Sequence, residues 1–501
     1  MKSIKYNFNN YFLSGKHVFI LIAFLASCQK NEQKTIPFEL LYATTGSNPG
    51  IYDQQGRYVI LRGCNYNSLG DYWQGNKDYP PIKKYNTDDF KDMARFGMNC
   101  IRLVLSWSSI EPQRGVYNYS YIDSIKMAIE DAAKYQLYVL LDIHQDAWGK
   151  YIHTPSSVSC QYPNKGWDGA PEWATNTDDM STCMTSDDFR ESPPAVYHAF
   201  HNLWFNTDGI ADNFVNMWKE LVKHTCRYKN VMGYDIINEP GLGNADLNQE
   251  FDRYSQVLGK VVKGIRTAEK EAGGYEHIIV FEHTITWRGE KIPFIPRLDF
   301  TTDKNIVFSG HNYFTDQPAT ILSLEQGMDL FNTLSKLYQS AFFCGEWLYY
   351  DREYLNRFAA YEDAHFWGST FWQWCAPPGD PHHVLYDGTL KSENTTLLIE
   401  ADKYAEFTGV YNEPALKVLS RPYPRSINGK PVKLSCNPDN GVLHLEAKAT
   451  DNGTTTFWIN NKFGTPVING TNAVVEQLET VNGGYIATVK TNGLYAVDIS
   501  Y

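Results

Sequence analysis

The sequence predicts an α/β chain, a (β/α)8 (TIM) barrel followed by a C-terminal antiparallel β-sandwich domain. Eight apolar, β-branched or aromatic runs of strand length recur between Val59 and Trp374, most of them separated by stretches with helical spacing. None of the eight alternates strictly between apolar and polar, as expected of strands buried on both faces. Beyond Arg421 the helical pattern stops, and short strands punctuated by Asn-Gly-type turns take over.

In chain order the runs are YVILRGCNY, NCIRLVLSW, LYVLLDIHQ, VMGYDIINE, HIIVFEH, NIVFSGHNY, AFFCGEW and GSTFWQW. Between them TDDFKDMARFG, YIDSIKMAIEDAAKY and GIADNFVNMWKELVKHT place apolar residues at helical intervals. Eight strands alternating with helices are what a closed parallel barrel requires. The barrel is assigned to residues 46–420. An insertion at about 146–207, between the third and fourth strands, is far longer than a usual βα loop and must lie over the rim. Residues 421–501, with LHLEAKA, TTTFWIN, AVVEQLE, GYIATVK and LYAVDIS, form the β-sandwich. No catalytic cluster falls in it, so a stabilising role is expected there.

The 501 residues are 43% hydrophobic and 20% charged, enough for a large core. A net charge of -12 without a basic cluster argues against nucleic-acid binding. Aromatic residues reach 15%, with 13 Trp and 34 Tyr, and such rings stack on the apolar faces of sugars. Lys2, Lys5 and Lys16 precede the run VFILIAFLAS, too short for a good membrane span, which ends in Leu25-Ala26-Ser27-Cys28. That ending resembles a bacterial lipobox, so residues 1–28 are read as a signal peptide lipidated at Cys28, and 29–45 as a tether. The expected protein is an exported outer-membrane or cell-surface lipoprotein of a bacterium, anchored to the membrane and monomeric. Of 9 Cys, Cys160 and Cys183 share the long loop and are the best disulfide candidates. Cys64, Cys100, Cys344 and Cys375 read as buried thiols, and no Cys spacing suggests a metal.

Polar residues cluster at the C-terminal ends of the strands, the rim that carries the active site in such barrels: Arg102, His144, Asn238, Glu239, His311 and Glu346. Glu346 interrupts a nearly apolar run, where an unpaired charge is expensive. Glu239 and Glu346 then point into one cup. Two carboxylates about 5 Å apart are the machinery of retaining glycoside hydrolysis, one attacking the anomeric carbon and the other protonating the leaving oxygen. Arg102 is expected beside Glu346 to hold it ionised, with Tyr313 donating to the same carboxylate. Facing that charge, Glu239 is expected to have a raised pKa and serve as acid/base. Asn238 suits the sugar 2-hydroxyl, and Trp372 a platform beneath the ring. No metal or cofactor is expected.

This set, with Pro240 and with His144 in LDIHQD, resembles glycoside hydrolase family 5. The resemblance implies Glu239 as acid/base and Glu346 as nucleophile. Within the family LDIHQDAWGKY, DGAPEWA, FHNLWFNTDGI and RPYPRSINGKP look like the endoglycoceramidases, which cut between a whole glycan and ceramide. By that resemblance Asp146 and Trp173 contact the glucose-proximal part of the glycan. A lysine that several relatives carry after the GxN motif is missing after Gly63-Cys64-Asn65, which bears on glycan specificity. The insertion's Trp148, Tyr151, Trp167, Trp173, Phe189, Trp204 and Phe205 suit an apolar channel for a lipid aglycone. The competing readings are a β-glucosidase on steryl or phenolic glycosides, a β-glucan endoglucanase, and a non-catalytic glycan-binding lipoprotein.

Overall fold

The computed structural model describes residues 38–71, 82, 84–185, 190–243, 245–285, 295–314, 322–348, 352–374, 399–401, 407–411 and 413–501. The expected signal peptide with Cys28, and most of the tether, lie outside the described residues, as do Phe189 and Cys375.

Each of the eight runs marks one barrel strand: β1 Arg62–Leu69, β2 Cys100–Ser106, β3 Tyr138–His144, β4 Val231–Asp235, β5 Ile278–Glu282, β6 Ile306–Asn312, β7 Ala341–Trp347 and β8 Gly368–Phe371. They pair in parallel in sequence order, and β8 closes on β1. Nearly every residue in these strands is buried, which accounts for the missing alternation in the sequence. Helices α1 Asp88–Arg95, α2 Tyr119–Lys134, α3 Pro194–Trp204, α4 Ile210–Thr225, α5 Leu247–Ala272, α6 Leu324–Tyr338 and α7 Arg352–His365 surround the barrel. Each turns an apolar stripe inward; α4, for example, buries Phe214, Met217, Trp218, Leu221 and Val222.

The domain borders differ from those expected. Tyr42–Thr44 is a strand rather than tether, and it pairs with Gly50–Tyr52 as a hairpin. Leu41, Ala43 and Ile51 join Leu140, Met232, Val307 and Phe343 of the barrel strands in one buried cluster. Tyr58–Val59, read as the start of the first barrel strand, pairs instead with Tyr423–Ile427 (β9). The C-terminal sheet therefore has nine strands, three of them supplied from before β1. The rest are β9, β10 Lys430–Cys436, β11 Leu443–Lys448, β12 Gly453–Asn460, β13 Val467–Val481 and β14 Gly484–Ser500. Alternate residues Leu443, Leu445 and Ala447 on β11, and Tyr495, Val497 and Ile499 on β14, fill its core.

That sheet is fastened to the barrel by charge and by shape. Arg421 is buried against Glu362 and Asp363 of α7, and Asp363 also binds Arg62 of β1. Trp458 lies over Gly97, where an added Cβ would come within 2.5 Å of the indole and φ is +84°. The Tyr423 hydroxyl donates to the Gly97 carbonyl at 2.8 Å. Gly97→Val therefore combines overpacking with a left-handed backbone. It is expected to lower stability by roughly 2–4 kcal/mol, read as an earlier midpoint in urea unfolding.

Candidate active site

The strands' C-terminal ends converge on Arg102, which is fully buried on β2. Its guanidinium reaches Asp142 of β3 at 3.0 Å, Asp235 of β4 at 2.9 Å, Glu282 of β5 at 3.2 Å and Glu346 of β7 at 2.7 Å. It also donates to Asn65 Oδ1 and Asn238 Oδ1. One cation cannot balance four buried carboxylates. Burial, and next the charge of Glu282, push the Asp235 carboxyl well above its ordinary range, against the pull of Arg102.

Glu346 accepts from Arg102 on Oε1 and from the Tyr313 hydroxyl on Oε2. Glu239 follows β4 on the Asn-Glu-Pro turn with φ of +37°, a left-handed conformation costing a non-glycine residue about 1–2 kcal/mol. The turn is held from several sides. Gln145 Nε2 donates to the carbonyls of Asn238 and Glu239, both at 2.8 Å, and the Glu239 amide donates to Glu282 Oε2 at 2.8 Å. Asn238 Nδ2 donates to the Gln145 carbonyl, which fixes the carboxamide beside Glu239.

The turn brings Glu239 to Glu346. One oxygen of each, with a ring nitrogen of His311, all lie within 4.8 Å of one another. This matches the spacing of retaining glycosidases rather than the ~6.5–9.5 Å that leaves room for a water in inverting ones. His311 on β6 links the acids: Nδ1 is 2.9 Å from Glu239 Oε1, and Nε2 is 3.1 Å from Glu282 Oε1. His144 Nδ1 meets Asp142 at 2.7 Å, and its ring stacks on Trp372 with centroids 5.3 Å apart and planes 14° apart. Trp372 thus lies flat on His144.

The expected rise in the Glu239 pKa is not found. Burial pushes it up, but the hydrogen bond and charge of His311, joined by the Arg190 guanidinium, outweigh burial and hold it down at about 2. For His311 burial opposes the charge, but Glu282, Glu346 and the bond to Glu239 outweigh it and keep the imidazole protonated well above its ordinary value. At rest the transferable proton is on His311, hydrogen-bonded to an ionised Glu239.

In the insertion the Trp173 indole donates to the Glu111 carbonyl, packs edge-to-face on Trp107 and lies under Arg114. Trp148 and Trp204 are buried and donate to Thr175 and to the Gly241 carbonyl. The first bond ties two parts of the insertion together, and the second ties the insertion to the chain after β4. Cys160 and Cys183 are joined by a disulfide within the loop. Asp146 enters the site through Arg190, which reaches both Asp146 and Glu239. Arg190, Asn65, Asp142, Gln145, Asp235 and Glu282 were not among the expected site residues. For Glu282 the signal was present, a carboxylate closing the apolar run HIIVFEH.

With this geometry in hand, comparison with known proteins is informative. The family model for cellulase (glycosyl hydrolase family 5) matches residues 52–376. An endoglycoceramidase of Cyanea nozakii is 25% identical over 301 residues, 54% of this chain and 56% of that protein. An endoglycoceramidase of Hydra vulgaris is 31% identical over 234 residues, 40% of this chain and 42% of that protein. The chain thus spans about half the length of these curated relatives. The crystal structure of an endogalactoceramidase superposes with a TM-score of 0.82 at 30% identity, covering 91% of this chain and 99% of that one. The family match runs through all eight barrel strands and both facing glutamates, and the chain belongs to glycosyl hydrolase family 5.

Proposed function

We propose that this chain is a retaining β-glycosidase that releases an intact glycan from ceramide in glycosphingolipids. The observation that carries the chemistry is the pair Glu239 and Glu346 within 4.8 Å, each with its own donors. The ceramide linkage is supported by the likeness to proteins named endoglycoceramidase and endogalactoceramidase.

In the first step a Glu346 oxygen bonds to the anomeric carbon while the bond to the aglycone oxygen breaks. That oxygen takes a proton from Glu239. In the second step the Glu239 carboxylate removes a proton from water, which attacks the same carbon and frees Glu346, so configuration is retained. Tyr313 and Arg102 steady the charge on Glu346 at rest and receive it again as the intermediate breaks down. Trp372 is the platform for the reacting ring. Asn238 meets the 2-hydroxyl, and Asp146 the neighbouring glycan hydroxyls.

The pH dependence follows from the proton shared by Glu239 and His311. Because His311 is held above its ordinary value of about 6.5, the pair keeps this proton through neutrality. Then kcat/KM on a poor leaving group falls along a basic limb on the alkaline side of that value. His311→Ala leaves only the carboxyl to hold the proton, so the limb moves toward acid.

Mass analysis of products from a mixed glycolipid extract tests the substrate class, with a steryl glucoside and a β-glucan in parallel. Intact oligosaccharide and ceramide from the first alone are expected; activity confined to the glucan overturns the ceramide reading. We further propose that Cys28 carries the lipid anchor of an exported lipoprotein, a reading that rests on the Leu25-Ala26-Ser27-Cys28 motif. Incorporation of labelled palmitate, lost in Cys28→Ser, is the expected result.

A further inference from the structure

Both oxygens of Glu239 are occupied by cationic donors, His311 Nδ1 on Oε1 and Arg190 Nη2 at 3.3 Å on Oε2. An acid catalyst needs one of them turned, with a proton, toward the leaving oxygen. Of the two donors His311 is the fixed one. It is buried on a barrel strand, and its other nitrogen is bound to Glu282. Arg190 belongs to the insertion, and its side chain is 19% exposed.

Resting on the glycosidase reading above, we infer that Arg190 is a substrate-displaced gate on Glu239, standing where the leaving oxygen must arrive and yielding Oε2 as the aglycone enters. Its other contacts make this possible without unfolding the loop. Nη2 is shared with Asp146, Nε donates to Glu191 at 2.6 Å, and the guanidinium lies 4.9 Å from the Trp167 ring. The Glu239 contact is the longest of its three ion pairs, so a small shift toward Asp146 and Glu191 breaks it and keeps the rest. Losing that cation raises the Glu239 carboxyl and brings it closer to taking the proton held by His311. Arg190 is a positioning residue, acting through Glu239.

The charged and titratable groups around Glu239 are Arg190 and Asp146 from the insertion, with Glu191 behind them, and His311, Glu282, His283, Glu346 and Tyr313 from the barrel. Among them Arg190→Gln removes the one cation that Glu239 shares with Asp146 and Glu191. Titration of ¹³C-labelled glutamate carboxyls reads the effect with no substrate present, the Glu239 signal being assigned by its loss in Glu239→Gln. An opposite charge at this range lowers a carboxyl by about 1–3 units. Arg190→Gln should therefore raise the Glu239 midpoint by about one unit or more, and Arg190→Lys should leave it near wild type. In kcat/KM on a glycosphingolipid the basic limb should move to higher pH in Arg190→Gln. An unmoved carboxyl midpoint overturns the gate, including the case where activity falls because the loop is disturbed. Failure of the glycosidase reading would appear separately, as turnover that survives loss of Glu346.

Discussion

Glu346→Ala is expected to lower kcat by on the order of 10⁴-fold or more on any glycoside, whatever its leaving group, because no other group replaces the covalent step. The protein should remain folded. Arg102 keeps Asp142, Asp235 and Glu282 as partners, and β7 loses only a rim side chain. The cavity left behind admits a small anion, so azide should restore turnover and yield a glycosyl azide of inverted configuration. Glu239→Ala should behave differently. It should retain the first step on a dinitrophenyl glycoside, which needs no proton, and lose about 10²–10⁴-fold on an alkyl one. Equal losses on both substrates would refute the division of roles between the two glutamates.

Arg102→Ala carries the largest expected effect on folding. It strands Asp142, Asp235, Glu282 and Glu346 around a buried space with no cation among them but His311 and His144. Breaking a buried ion network by removing one partner costs about 3–5 kcal/mol. The sign with pH follows Glu282, which His311 and then Arg102 hold below the ordinary carboxyl range against burial. In the variant it loses one of those cations and takes up a proton more readily as pH falls, so the deficit against wild type should be smaller at pH 5 than at pH 7. Urea unfolding at the two pH values reads this directly, and equal deficits would contradict it. Arg102→Lys keeps the charge as a point instead of a fork and should lie between.

Much of the barrel was legible because strands buried on both faces leave continuous apolar runs: seven of the eight strands fall inside the runs read, and β1 overruns its own by three residues. The rim residues were legible for a related reason. His144 and Glu346 are polar groups near the ends of runs that are otherwise largely apolar, and Arg102 is a charge inside one, where it needs a purpose. Asp142 and Asp235 lie in comparable runs, yet their service to Arg102 depends on which strands adjoin it, and that exists only once the barrel is closed. Arg190 was not legible at all, since no strand register fixes a residue in a long loop. The sign error on Glu239 has two sources: the reading placed His311 at the rim without a charge, and it missed Arg190. The chain before β1 misled because YVILRGCNY spans two strands in different sheets, divided at Ile60-Leu61.

The central claim is that the sugar is held covalently by Glu346 while Glu239 handles the proton. It is met most directly by trapping. A 2-deoxy-2-fluoro β-glycoside with an activated leaving group slows release of the intermediate, and peptide mass analysis then locates the label. The account predicts one sugar per chain on the peptide carrying Glu346, protected when substrate is in excess. Label on Glu239 or any other residue, or no label together with product first appearing in inverted configuration, would contradict it.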